Sequence, residues 1–277
     1  MNPYLKAFIN KVPLLQEFMR IKGRKKRATS YYKPTFSLIS DWAKKKTEFS
    51  NYYYDLNESN RSDLASLIST ITNTPYKQVE SLFDELENNE NLRAHISNSW
   101  AKDAMMSDAR LGYGRRLGWY AFIRILKPKI VVETGVHHGV GSCVITSALI
   151  KNAEDGSIGQ YFGTDIDNNA GKLLVEPYSK FGEILYGDSI NSLRKLNETV
   201  DIFINDSDHS GEYEKLEYET INSKLSANAL ILGDNSHATN SLRTFSQSTE
   251  RNFIFFKEIP KNHWYPGAGI GISFKTL

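Results

Sequence analysis

Ile130-Val-Val-Glu133-Thr-Gly135-Val-His-His-Gly139-Val-Gly141-Ser142 passes from a short apolar, β-branched run into a glycine-rich turn and then into the start of a helix. An apolar run of this length without polar alternation marks a strand covered on both faces. The glycines let the backbone turn tightly and come close to a ligand. The same alternation continues downstream. Strands are expected at 160–164, 183–186, 200–204 and 229–232, and helices at 142–151, 170–181, 190–196, 213–225 and 242–250. The last two apolar runs, 253–259 and 269–274, have no helix between them and should pair antiparallel. Together these runs predict an α/β fold with a seven-stranded, mostly parallel sheet, helices on both faces and a terminal antiparallel hairpin.

Upstream of this pattern, residues 1–110 are expected to be helical, and residues 111–277 to form the ligand-binding domain. Asn60 or Ser62 can cap a helix over 63–71, Thr74-Pro75 starts another, and a third covers about 91–100. Arg115 and Arg116 precede the first strand in a stretch read as a packed helix, with binding of an anionic acceptor as the alternative. At the start of the chain, Tyr4, Leu5, Phe8, Ile9 and Val12 recur at helical spacing; Pro13 interrupts, and Leu14, Leu15, Phe18 and Ile21 resume. The basic cluster Lys22-Gly-Arg-Lys-Lys-Arg27 follows.

Charge is distributed unevenly. The 277 residues carry a net +2, but residues 1–30 hold eight Lys/Arg against Glu17, which leaves the rest at −5. This balance argues against a globally basic nucleic-acid binder, and no nucleic-acid partner is expected. The amphipathic basic arm over residues 1–30 can lie on an anionic membrane surface, or dock on the body or on a second subunit of a homo-oligomer. The single cysteine, Cys143, rules out an internal disulfide and fits a reducing compartment. No apolar run reaches membrane-spanning length. The chain is read as cytoplasmic, with peripheral contact at the inner face of the membrane available through the arm.

In an open parallel sheet, ligands bind beyond the carboxyl ends of the strands. The first strand ends in Glu133 and the loop of Gly135 and Gly139, with Ser142 opening the helix. The second ends in Asp165, whose carboxylate can accept two ribose hydroxyls; Asp167 is the near alternative. The third leads into Asp188 and Ser189, either of which can cap the next helix. The fourth ends in Asp206-Ser-Asp208-His209, and the fifth in Asp234-Asn235-Ser-His237. The oxygens of Asp206, Asp234 and Asn235 suit a hard divalent ion such as Mg²⁺. His209 can take a proton near neutral pH, with His237 as the other candidate.

These loops resemble those of class I S-adenosylmethionine-dependent methyltransferases, whose fold is Rossmann-like with a terminal antiparallel hairpin. There an acid stands two positions before the first loop glycine, as Glu133 does, and an acid after the third strand, here Asp188, commonly meets the adenine. Asp206 followed three residues later by a base is similar to the metal-dependent catechol-type and macrocin-type sugar O-methyltransferases. His209 matches the sugar type. The resemblance implies S-adenosyl-L-methionine as cofactor and Mg²⁺ held by Asp206, Asp234 and Asn235. The acceptor it implies is a hydroxyl of a sugar or related small molecule, which can be lipid-linked, with Asp206 and His209 as catalytic groups. Three rivals stand beside this expectation. Methylation of nucleic acid or protein has only the basic arm in its favour. Nicotinamide chemistry would need a pyrophosphate beside Glu133. A non-catalytic binding protein of the same fold would have no use for His209.

Overall fold

The computed structural model describes residues 12–45, 53–103, 106 and 110–275. The chain divides into two compact units, Met1–Lys46 with Asn262–Trp264, and Thr47–Lys261 with Tyr265–Leu277.

Among its described residues the first unit contains one helix, α1 (Pro13–Trp42), 30 residues long with none buried. Pro13 does not interrupt this helix but opens it. In the first turn its missing N–H had no helical partner to lose, and its fixed φ is already helical. The helix then runs on through the basic cluster and past Pro34. The ring of Trp42 meets Trp264 of the same unit at 5.1 Å. Tyr4, Leu5, Phe8 and Ile9 lie outside the described residues.

The second unit begins with α2 (Glu58–Thr72), α3 (Tyr76–Glu87), α4 (Glu90–Trp100) and α5 (Arg116–Leu126). The cap of α2 is Asn57, whose side chain accepts the N–H of Asn60. Asn60 is buried, and donates to the Lys257 carbonyl while accepting from Ile259 N–H. It thus ties α2 to the distant end of the chain. Residues 58–100 and the sheet share one apolar core, so residue 110 marks where the chemistry-bearing loops begin and not a packing boundary.

The remainder alternates as the sequence predicts: β1 (Ile130–Thr134), α6 (Val140–Glu154), β2 (Gln160–Asp165), β3 (Gly182–Tyr186), α7 (Ser189–Lys195), β4 (Val200–Asn205), α8 (Gly211–Asn222), β5 (Leu225–Asp234), α9 (Ser241–Ser248), β6 (Asn252–Lys257) and β7 (Gly269–Phe274). The helix expected at 170–181 is absent. Gly171 takes a left-handed φ of 69° and Pro177 cannot continue a helix, so only the 3₁₀ turn Tyr178–Phe181 forms. The segment is tied instead to the first loop, with Gly171 N–H on His137 O and Leu173 N–H on His138 O.

Strand order is β3-β2-β1-β4-β5-β7-β6. Every pair is parallel except those of β7, which inserts antiparallel between β5 and β6. Successive strand residues face opposite sides. Val131, Ile202, Ile204, Leu230 and Leu232 join the core built by α2 to α6. Val132, Phe162, Phe203 and Ile231 join the core that holds Leu193 of α7, Tyr218 of α8 and Phe245 of α9. Strand order reverses between β1 and β4, and the crevice opens there at the carboxyl ends.

Candidate active site

The loops after β1, β2, β3, β4 and β5 enclose a cavity of about 750 Å³. Of the residues singled out in the sequence, Glu133, Gly135, Asp165, Asp188, Ser189, Asp206, His209, Asp234 and Asn235 all line it. Gly139 and Ser142 do not; they shape the wall from behind. Gly139 turns the chain into α6 with φ 93°, and Ser142 pairs its hydroxyl with that of Tyr161 at 2.8 Å.

Gly135 is where the first and fourth loops touch. Its φ is 81°, and an added Cβ would lie 2.0 Å from the Asp206 carbonyl oxygen. Asp206 N–H in turn donates to Thr134 O at 2.8 Å. Gly135→Ala is expected to cost about 1–3 kcal/mol in backbone strain alone, and to push the Asp206 loop out of place. Thermal melting with cofactor titration would read both effects; unchanged Tm and affinity would contradict the contact.

Asp165 braces two loops. One carboxylate oxygen accepts the N–H groups of Val136 and His137, at 3.0 and 2.9 Å, and the other accepts Asp167 N–H at 2.9 Å. The alternative, Asp167, also lines the cavity, but its carboxylate serves its own turn through Asn169.

Glu133 is buried and accepts a short hydrogen bond from Tyr161. Burial pushes its carboxyl up to about 7, against the pull of the Tyr161 hydroxyl and of the Arg116 charge. Arg116, itself buried, lines the same cavity with its guanidinium over the rings of Tyr53 and Trp119. A carboxyl raised in the folded state adds stability that is complete below its unfolded value, about 4.5, and is lost as pH rises through about 7. The Tm of the ligand-free protein should therefore fall across that window, and Glu133→Gln should flatten the fall. An identical pH profile for both proteins would sink this assignment.

Asp188 combines the two roles open to it. One oxygen accepts Asn191 N–H and caps α7, the other accepts the Tyr213 hydroxyl at 2.9 Å, and the residue still faces the cavity.

At the ends of β4 and β5, ligand atoms of Asp206, His209 and Asp234 lie within 4.8 Å of one another. His209 Nε2 is 3.9 Å from Asp206 Oδ1. Its Nδ1 is 3.8 Å from Oε1 of buried Glu214, whose other oxygen accepts from the Thr239 hydroxyl. The Glu214 carboxylate raises the imidazole above its ordinary value, outweighing burial. Burial, and then the facing Asp234 carboxylate, raise Asp206 well above the usual carboxylate range.

A guanidinium completes the group. Buried Arg115 pairs through Nη2 with Asp234 Oδ2 at 2.8 Å and reaches Asp206 at 3.9 Å and Glu258 at 3.6 Å. Its backbone N–H donates to Glu258 at 2.7 Å. Three carboxylates thus surround one guanidinium. The excess negative charge between Asp206 and Asp234 fits a hard cation, with His209 at its edge. Asn235 fits less well as a ligand. In a left-handed conformation (φ 51°), it brings its amide nitrogen to 3.1 Å from His209 Nε2.

His137 and His138 also line the cavity, with ring centres 4.0 Å apart. His237, the other candidate base, is absent from the wall and sits with its ring 5.9 Å from Phe255. Tyr53, Tyr213 and Glu214 belong to the site or support it without any motif in the sequence to mark them. Arg115 and Arg116, expected in a packed helix or as binders of an anionic acceptor, both line the cavity.

Residues 132–236 match the family model of a methyltransferase domain. No curated protein matches the sequence. Among solved structures, a methyltransferase from Geobacter sulfurreducens aligns with TM-score 0.50 at 18% identity, covering 73% of this chain and 96% of that one. An O-methyltransferase from Streptomyces achromogenes, solved with S-adenosylmethionine, aligns with TM-score 0.49 at 12% identity over 67% and 90% of the two chains. One from Bacillus cereus, solved with the demethylated cofactor, aligns with TM-score 0.46 at 14% identity over 70% and 91%.

Proposed function

We propose that this chain is a class I S-adenosylmethionine-dependent methyltransferase, a reading its matched domain and strand order support, and that it methylates a hydroxyl of a sugar or related small molecule with His209 as general base. The observation that carries the proposal is the meeting of His209, Asp206 and Asp234 in the same cavity as the Glu133 and Asp165 loops.

The chain's residues supply the steps. Glu133 and Arg116, opposite charges on one wall, match an amino group and a carboxylate of the methionyl part. Asp165 offers its remaining lone pairs to the ribose hydroxyls. The cofactor supplies a methyl group on a sulfonium. His209 Nε2 accepts the acceptor's hydroxyl proton, for which Asn235 must release it. Glu214, facing the other ring nitrogen, stabilises the imidazolium that results. The hydroxyl oxygen bonds to the methyl carbon as the carbon–sulfur bond breaks, leaving a neutral thioether. Positioning both partners supplies much of the acceleration. A divalent cation held by Asp206 and Asp234 would add positive charge at the reacting oxygen.

A second reading is favoured by Arg115, whose guanidinium already sits against both carboxylates. In that reading the arginine provides the positive charge and no metal is used. Chelation separates the two. Turnover lost in EDTA and restored by Mg²⁺ supports the metal; full turnover in EDTA supports Arg115.

Calorimetric titration with S-adenosylmethionine and its demethylated product tests the reading as a whole. Micromolar binding, lost in Asp165→Ala, is expected. A folded protein that binds neither compound would overturn it. Cys143, buried and free, suits a reducing compartment, and the proposal places the reaction in the cytoplasm.

A further inference from the structure

No helix among the described residues is long and apolar enough to cross a membrane, yet α1 carries an apolar stripe along its length. Leu14, Phe18, Ile21, Tyr32, Phe36 and Ile39 are between 38% and 82% exposed. At 100° per residue they fall within a sector of roughly 60°. Between Leu14 and Ile39 they span about 38 Å, as two patches on one face, 14–21 and 32–39, with Lys25, Ala28 and Thr29 between them.

The flanks of the stripe are basic. Lys22, Lys26 and Lys33 line one side, and Arg20, Arg24 and Arg27 line the other. Lys25 lies in the stripe, on a stem long enough to carry its charge to the water boundary. The helix holds seven Lys/Arg against Glu17 and Asp41, a net charge of +5. Pairing with a second copy would set +5 against +5 with Lys25 in the seam. A nucleic acid would use the charge but leave six large apolar side chains in water. An anionic bilayer surface uses both features, because the stripe enters the acyl boundary while the flanking cations meet the headgroups.

We infer that α1 is a membrane-surface helix that docks the enzyme on anionic lipid with its axis in the plane of the bilayer. The inference is independent of methyl transfer and stands or falls separately from it.

Flotation of the full chain with phosphatidylcholine vesicles, with and without phosphatidylserine, tests it at low and high salt. Binding is expected to the anionic vesicles only and to weaken with salt. Two variants divide the contributions. In the first, Leu14, Phe18 and Ile21 are changed to Ser; in the second, Lys22, Arg24, Lys25, Lys26 and Arg27 are changed to Gln. Both alter exposed positions, so unchanged cofactor titration is expected to certify the fold. Each should reduce anionic-vesicle affinity at least about tenfold. Equal binding to neutral and anionic vesicles, or full binding by the apolar variant, would overturn the inference. So would a dimer that dissociates in the apolar variant while vesicles bind neither protein, since the stripe would then be a self-association surface.

Discussion

Replacing His209 with alanine is expected to lower kcat by about 10²- to 10⁴-fold while leaving cofactor affinity nearly unchanged. The imidazole faces the cavity from the strand-four end and can take a proton near neutral pH. Its partner carboxylates, Asp206 and Glu214, lie on two sides at 3.9 and 3.8 Å, so the ring is placed by its surroundings and not by its own rotamer alone. Single-turnover kinetics beside calorimetry separates chemistry from binding. Equal turnover by wild type and His209→Ala would remove the base from the mechanism, and would revive a non-catalytic protein of this fold.

The second large effect concerns Arg115. Arg115→Ala leaves Asp234 and Glu258, both buried, without their cation. Removing one partner of a buried ion pair costs about 3–5 kcal/mol. For a chain of this size that corresponds to a fall in Tm of roughly 10 °C. The Tyr54 hydroxyl also donates to Glu258 at 2.8 Å, so the loss would also loosen the segment that places the neighbouring Tyr53 in the cavity wall. Melting the variant with and without Mg²⁺ adds information that chelation of wild type does not. Recovery of Tm by Mg²⁺ would show that a cation can replace the guanidinium among these carboxylates. A wild-type Tm without metal would mean that the ion pair contributes nothing to the fold.

Strands β2, β4 and β5 were readable as apolar runs that end on an acid or a turn former, at Asp165, Asn205 and Asp234. Less legible was α5, the packed helix before β1. All residues from Arg116 to Ile123 are buried, Arg116 included, so the burial of this helix does not follow its polar pattern. The stretch 170–181 misled in the opposite way, since its apolar spacing is helical while Gly171 and Pro177 forbid the helix. Among site residues, those at strand ends could be named because the parallel sheet gathers its carboxyl ends. Arg115, Tyr53 and Glu214 could not, because each reaches the cavity or its supports from a different element: the turn before α5, the segment before α2, and α8. Nothing in the local sequence marks such convergence. The role of Asn235 depends on which end of its amide turns inward, a choice set by His209 and not by spacing.

Strand β7 comes last of the strands in chain order, yet occupies an interior position between β5 and β6. As a ribosome delivers the chain, β5 must wait with one edge unpaired until Gly269–Phe274 emerges. During that interval its apolar run Ala229–Leu232 is a template for pairing with other nascent chains. Truncation a few residues before β7 should therefore yield aggregates and not a smaller soluble protein, and holdase chaperones should associate with chains stalled at that point.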